Sequence, residues 1–501
     1  MTDGTRRRSG PRTSPPRASQ VAADEAADVI VVGGGLSGLI AAERLASGGA
    51  SVLVLEAGRV LERRLPSCDV VHYRETIKPL TQVDADAWAY RTSGISFDWI
   101  RVRAGGGRSL VWGGWLLWPE AQNFKDAAAA DQPWPFPIEA IATHIRRARN
   151  LLNIRQAPMP PHFAAVGAKL GLEVEEKLAA VGPCGCRAFV SLDWRRRSTL
   201  RPNRVVLELL ANRRGRVTGV SYVDAETGAR GIATGRAVVL AASPIETARL
   251  LLASPGAAPA NAHGLVGTGL TDHLVASYLV LVPQPAPATE PATPMDRAAF
   301  VPRFVNLGRK NRRDYPGGFT LELHGPEPLL ELGADGIRAL GLDPTAAADA
   351  SYFLVHAIGE TLPHPDRKVT LDPDRLDRYG RRIPVIHQAQ SDAEPRRARD
   401  MEETALAVAD ALATPGSRIF PLRETLTPGG IAHEAGGAVL GRSPQRAVTD
   451  LCGRVQNLRG LYVADASLMP TGLDRPPTLT VLGLAMNTAD SLLEHLATGA
   501  L

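Results

Sequence analysis

Gly33, Gly35 and Gly38 stand as G-x-G-x-x-G in "DVIVVGGGLSGLIAAERLASGGASVLVLEAG" (28–58), directly after the apolar run Val29–Val32. Glu56 closes a second apolar run 18 residues beyond Gly38. This spacing suits the binding of a dinucleotide. Gly33 permits the tight turn, Gly35 lets a pyrophosphate approach the backbone, and Gly38 allows close helix–strand packing. The helix that follows turns free N–H groups toward the anion, and the Glu56 carboxylate can accept the ribose hydroxyls. A carboxylate there would repel a 2′-phosphate, which argues against NADP. The motif alone leaves NAD and FAD both open.

The positioning elements read as α/β with interruptions. Residues 28–58 give a β-α-β unit. The stretch 204–228 alternates apolar and polar residues as strands and hairpins do, and 235–254 gives a buried strand and then a helix with Pro244 in its first turn. Beyond a Pro- and Ala-rich excursion at 282–296, residues 297–390 read as strands with turns. An amphipathic helix is expected at about 392–413, and a helix closes the chain after a return to short strands.

Composition bounds the function. The 501 residues are 44% hydrophobic and 22% charged, which suits two or three globular domains. The formal charge is +5, but the first twenty residues hold five Arg against one Asp, leaving the body near +1. That balance gives no basic face for nucleic acid. The tail lacks apolar residues and is expected to be disordered. No apolar h-region follows its Arg triplet and no run of 18 apolar residues occurs, so neither export nor a membrane span is expected, and the reading is cytoplasmic. Cys184 and Cys186 form a CxC pair without further ligands nearby, so no metal site is expected.

Three further segments carry a resemblance: "RAGGGRSLVWGGWLLWPEAQNF" (103–124), "AASPIETARLLLAS" (241–254) and "VQNLRGLYVADASLMPTGLDRPPTLTVLGLAMNTAD" (455–490). Together they resemble the glucose–methanol–choline (GMC) oxidoreductases from about residue 27 to the end. The likeness is greatest to the pyranose-oxidase-like branch and to small bacterial sugar or aminosugar dehydrogenases. The resemblance implies FAD. It also implies a Rossmann-like FAD-binding domain (27–130, 181–275 and 425–501, after a basic tail at 1–26) interleaved with a substrate-binding domain at 131–180 and 276–424. The latter would be built on a mainly antiparallel sheet with helices.

The resemblance assigns roles residue by residue. Gly106, Gly107 and Ser109 pass beside the flavin and pyrophosphate. Some pyranose oxidases attach the flavin to a histidine just before the tryptophan; Val111 stands there before Trp112, so the FAD is expected to be non-covalent. Asp465 and Ala466 contact the ribityl–phosphate part, and Thr478 and Leu479 open the final helix, whose amides stabilise a negative flavin edge. Of eleven histidines, His433 in "GGIAHEAGGAVLG" matches the family's active-site histidine. A neutral imidazole suits removal of a hydroxyl proton while hydride passes to flavin N5.

Two departures stand out. The family's second His or Asn, eleven residues after the aspartate, is here Pro476, which has no side-chain donor or acceptor. Either Asp474 or Arg475 supplies the polar contact, or the site works with one histidine. Ala438-Val439 also replaces the family's usual Cys-Arg or Ala-Arg pair. Asp272 and His273 in "LTDHL" read as structural; His356, His364 and His387 cannot be ranked. Trp112, Trp115 and Trp118 read as packing rather than substrate contacts.

The expected activity is FAD-dependent oxidation of a CH–OH group of a small carbohydrate-like alcohol, a pyranose or an aminosugar such as a paromamine-type aminoglycoside intermediate at its 6′-hydroxyl. No motif fixes whether dioxygen or another acceptor reoxidises the flavin. The competing readings are an FAD-binding relative with a lyase-like or non-redox role, suggested by Pro476, and an NAD-dependent dehydrogenase.

Overall fold

The computed structural model describes residues 24–60, 89–180, 198–286, 297–301 and 314–501, apart from positions 111, 113, 130, 131, 153, 157, 177 and 347. The tail to residue 23, the Cys184/Cys186 pair and Val111 therefore lie outside the described residues.

The glycine motif follows a central strand of a seven-stranded sheet. Strand β1 (Glu25–Val32) leads into helix α1 (Leu36–Ser47) and then strand β2 (Val52–Leu55). Val29–Val32 are buried throughout, as expected of a central strand covered on both faces. The strand begins before the apolar run because Glu25 and Ala26 continue its parallel register against Ala233 and Thr234. The sheet order is 199–201, β2, β1, 230–240, 217–224, 204–211, with 461–463 pairing to the end of 230–240. The strands at the glycine end run parallel; 204–211 and 217–224 form the antiparallel hairpin that alternation predicted. Residues 244–253 form the expected helix. The closing helix, Thr478–Thr498, lies against α1, where Arg44 pairs with Asp490 at 2.5 Å.

A second, six-stranded sheet is antiparallel throughout, in the order 418–421, 273–282, 351–360, 319–328, 298–301, 175–176. The helix Glu394–Leu412 covers one of its faces, burying Met401, Ala405, Val408 and Leu412 at helical spacing. Strand alternation decides the rest, because successive side chains point to opposite faces. Leu274, Ala276, Leu321, Leu323, Val355 and Ala357 join the core under that helix. Their alternates, Val275, Ser277, Glu322, His324, His356 and Ile358, line a cavity on the other side. The cavity, about 740 Å³, reaches from this sheet to the glycine motif and Glu56. No helix of the described residues is long and apolar enough to cross a membrane.

Candidate active site

The nucleotide end of the cavity is built from backbone. A Cβ on Gly33 would fall 2.3 Å from the Ala241 carbonyl oxygen, and one on Gly38 would fall 2.1 Å from the Gly33 oxygen. At Gly35 an added Cβ would meet nothing within 4 Å. Two glycines are thus demanded by packing and the third leaves open space at the start of α1, the arrangement a pyrophosphate needs. Gly35 caps α1 with no side-chain hydrogen bond, so first-turn amides remain available to an anion. Glu56 follows β2 directly and accepts from the Gly34 amide (2.7 Å) and the Gly58 amide (2.8 Å). Burial pushes its pKa up, opposed by those two donors and by Arg103. Gly106 donates to Gly34 O at 2.7 Å, stacking the "GGGRS" segment on the turn, and Ser109 Oγ donates to Gly106 O at 2.7 Å.

Asp465 is held by four donors: the Ser243 amide (3.0 Å), Thr247 Oγ1 (2.7 Å), the Ser467 amide (2.9 Å) and Ser467 Oγ. Burial raises its pKa against their combined pull. It organises the turn at Ala466–Leu468 as much as it faces the cavity.

His433 lines the cavity, half-buried. Burial holds its pKa well below the usual histidine value, with His273 and Arg108 adding to the effect, so the ring is neutral at working pH. Its Nδ1 lies 3.2 Å from Nδ1 of the fully buried His273, and the rings cross at 83°. Glu434 pairs with Arg108, which also donates to the Ala432 carbonyl at 2.8 Å. Non-glycine residues in the left-handed region collect around this centre: Ser243 (φ 79°), Ala432 (φ 64°) and Leu473 (φ 63°). Such conformations cost about 1–3 kcal/mol each and persist where the surroundings enforce them, commonly at functional sites.

The opposite wall belongs to the six-stranded sheet. Strand register sets Ser277 beside His356 and His356 beside Glu322. Ser277 Oγ and His356 Nδ1 are 2.8 Å apart. Burial, aided by Arg423, lowers the His356 pKa to about 4. Trp115 stacks obliquely on His324 (4.2 Å between centroids) and meets Phe300 edge-on at 4.5 Å. This wall therefore offers two imidazoles, a hydroxyl, a carboxyl group and an indole within one surface.

Gly33, Gly35, Glu56, Gly107, Ser109, His433, Asp465, Ala466 and Thr478 all line this one cavity. Gly38, Gly106 and Leu479 do not: the first two support the turn, and Leu479 is buried in the core. Pro476 and Pro477 face the cavity. The suggestion that Asp474 or Arg475 replaces the missing polar group is not met. Arg475 pairs with Asp474 (2.9 Å) and Glu120 (2.9 Å), and Asn123 donates to Asp474 at 2.6 Å, so these groups satisfy one another in the core. Trp112 and Trp115 reach the cavity, whereas Trp118 packs against the core. His356 belongs to the site; His364 sits beside Asp366, and His387 pairs with Thr370, both elsewhere. Sequence reading took His273 as structural and did not single out Arg108, Glu322 or His324. Only the adjacency of acid and imidazole in "TDHL" and "AHEA" hinted at the first.

Comparison with known proteins supports the α/β, Rossmann-like fold. Residues 194–275 and 363–485 each match the family description "GMC oxidoreductase", and residues 31–68 match an NAD(P)-binding Rossmann-like domain. The chain is 25% identical to the 6‴-hydroxyparomomycin C oxidase of Streptomyces lividus, over 95% of this chain and 93% of that protein. It is also 25% identical to the paromamine 6′-oxidase of Streptomyces fradiae, covering 94% and 92%. Among solved structures, pyridoxine 4-oxidase from Mesorbium loti superposes with a TM-score of 0.67 at 19% identity, covering 93% of this chain and 99% of that one. An Aspergillus oryzae formate oxidase superposes with a TM-score of 0.66 at 16% identity, covering 95% and 99%.

Proposed function

The chain belongs to the GMC oxidoreductase family and is an FAD-dependent oxidoreductase of alcohols, and from that premise we propose that it oxidises a CH–OH group of an aminosugar-like substrate with His433 as the base. The observation that carries this reading is that the His433 imidazole lines the same cavity as Gly33, Gly35 and Glu56. The support for an aminosugar is twofold: the names of two relatives aligned over more than nine-tenths of the chain, and a substrate wall rich in hydrogen-bonding groups.

Bound FAD supplies a two-electron acceptor for the hydride that leaves the alcohol carbon. Gly35, the first-turn amides of α1 and Glu56 fit its ADP half, and Gly107, Ser109 and Thr478 fit the remainder. The FAD is held non-covalently, since Val111 stands just before Trp112 where some pyranose oxidases carry the linking histidine, and residues 27–130, 181–275 and 425–501 bind it while 131–180 and 276–424 hold the substrate. His433 takes the hydroxyl proton. A neutral imidazole can do so, and its lowered pKa keeps it unprotonated as pH falls below the ordinary histidine range. Ser277, Glu322 and His356 orient the ring hydroxyls or an ammonium group, and Trp115 offers a flat face to the sugar's C–H bonds.

Pro476 facing the cavity favours one alternative, an FAD-binding protein without alcohol turnover. The yellow protein, mixed anaerobically with paromamine, glucose and 2-methyl-1,2-propanediol in turn, separates the two. Bleaching fastest with paromamine is the expected result. A flavin that stays oxidised with every alcohol would overturn the proposal in favour of the alternative.

A further inference from the structure

We propose that His273, standing behind His433 and outside the cavity, is a positioning residue that fixes the His433 tautomer, so that the nitrogen presented to substrate is the unprotonated Nε2. The inference rests on the reading of His433 as base, and it explains how a site with Pro476 in place of a second polar partner keeps that base correctly protonated.

The argument is one of donors and acceptors. His273 Nε2 lies 2.8 Å from the Leu473 carbonyl oxygen. A carbonyl only accepts, so Nε2 carries the proton. A neutral imidazole has a single N–H, which leaves Nδ1 of His273 as a lone pair. The group facing that lone pair, at 3.2 Å, is His433 Nδ1. Two lone pairs would repel, so the proton of His433 sits on Nδ1 and is donated to His273. No hydrogen bond among the described residues engages His433 Nε2, and its ring lines the cavity. The tautomer thus left, with a bare Nε2, is the one that can accept a proton from an alcohol.

The surroundings hold both rings neutral, which the chain of bonds requires. Burial lowers the His273 pKa to about 4; the Leu473 carbonyl and Asp474 oppose this, and Arg397 adds to it. His433 is lowered by burial, by His273 and by Arg108. The two nearby acids do not compete for the imidazoles. Asp272 accepts the His273 backbone amide at 2.8 Å, and Glu434 pairs with Arg108. Leu473 is itself held at φ 63°, a conformation unfavourable for leucine that keeps its carbonyl on His273. The His273 backbone opens the strand 273–282, so the imidazole is anchored by the six-stranded sheet.

The test uses holoenzyme with 15N-labelled histidine. Long-range 1H–15N spectra assign the His433 proton in wild type, in His273→Asn, whose Oδ1 can still accept from Nδ1–H, and in His273→Leu, which cannot. The expected result is an Nδ1–H His433 in wild type and in His273→Asn, and a shift toward Nε2–H in His273→Leu. Anaerobic reduction by paromamine, or by whichever alcohol bleaches wild type, should fall about ten- to a hundredfold in rate in His273→Leu, with FAD content and apparent substrate affinity little changed, and should be largely restored in His273→Asn. An Nε2–H tautomer in wild type overturns the proposal, as does a His273→Leu variant with unaltered tautomer and rate. If the tautomer is as assigned but His433→Ala reduces normally, the role of His433 as base fails while the tautomer assignment stands.

Discussion

The two walls of the cavity are built by different means. At the nucleotide end the surface is mainly backbone: Gly35 leaves open space, α1 offers its amides, and Glu56 is locked in place by the amides of Gly34 and Gly58. At the end formed by the six-stranded sheet the surface is side chain: Ser277, His356 and Glu322 stand side by side because three antiparallel strands share one register. A backbone surface tolerates only glycine at fixed positions and so writes a motif. A side-chain surface accepts any residue at alternate strand positions, and no motif results. His433 lines the same cavity.

That contrast can be broken from either side. Gly33→Val should have the largest effect. Its Cβ would fall 2.3 Å from the Ala241 oxygen at φ 107°, and a loss of about 3–5 kcal/mol is expected. Chemical denaturation should show either that loss or no folded protein; a stable, yellow variant would mean the turn is not built as described. Glu56→Ala should come next. It orphans the two amides, at about 1–3 kcal/mol for each buried donor left unsatisfied. FAD should be lost on gel filtration, while the pH profile of residual turnover stays unchanged.

The opposite wall should respond differently. His356→Leu should keep FAD and lower kcat/KM about tenfold, chiefly through KM, as a lost substrate hydrogen bond of about 1–1.5 kcal/mol would. A fall in FAD content instead would blur the division between walls. The same variant should also differ from wild type in acid stability. Burial holds His356 near pKa 4 when folded, whereas the unfolded chain binds that proton below about pH 6.5. The unfolded state therefore takes up more protons between those values. Stability should fall as pH drops from about 6.5 to 4, and less steeply in His356→Leu.

Legibility followed the same division. The Gly33–Gly38 turn, the flanking strands and the helices near 244–253, 394–412 and 478–498 were readable because each is fixed by local spacing. His433 needed the family resemblance, since one imidazole followed by glycines has many uses. His356 could not be told from His364 and His387, because only cross-strand register sets it beside Ser277. His273 was read as structural because its neighbour lies 160 residues away, and no local pattern encodes that meeting. Asp474 and Arg475 were natural candidates for a polar contact until their mutual pairing in the core placed them outside the cavity.

The most direct test of the central claim is rapid anaerobic reduction of His433→Ala with its FAD in place. The account predicts a yellow, folded protein reduced at least about a hundredfold more slowly than wild type, the scale of a lost general base. Reduction at the wild-type rate would contradict it and move the base to another residue.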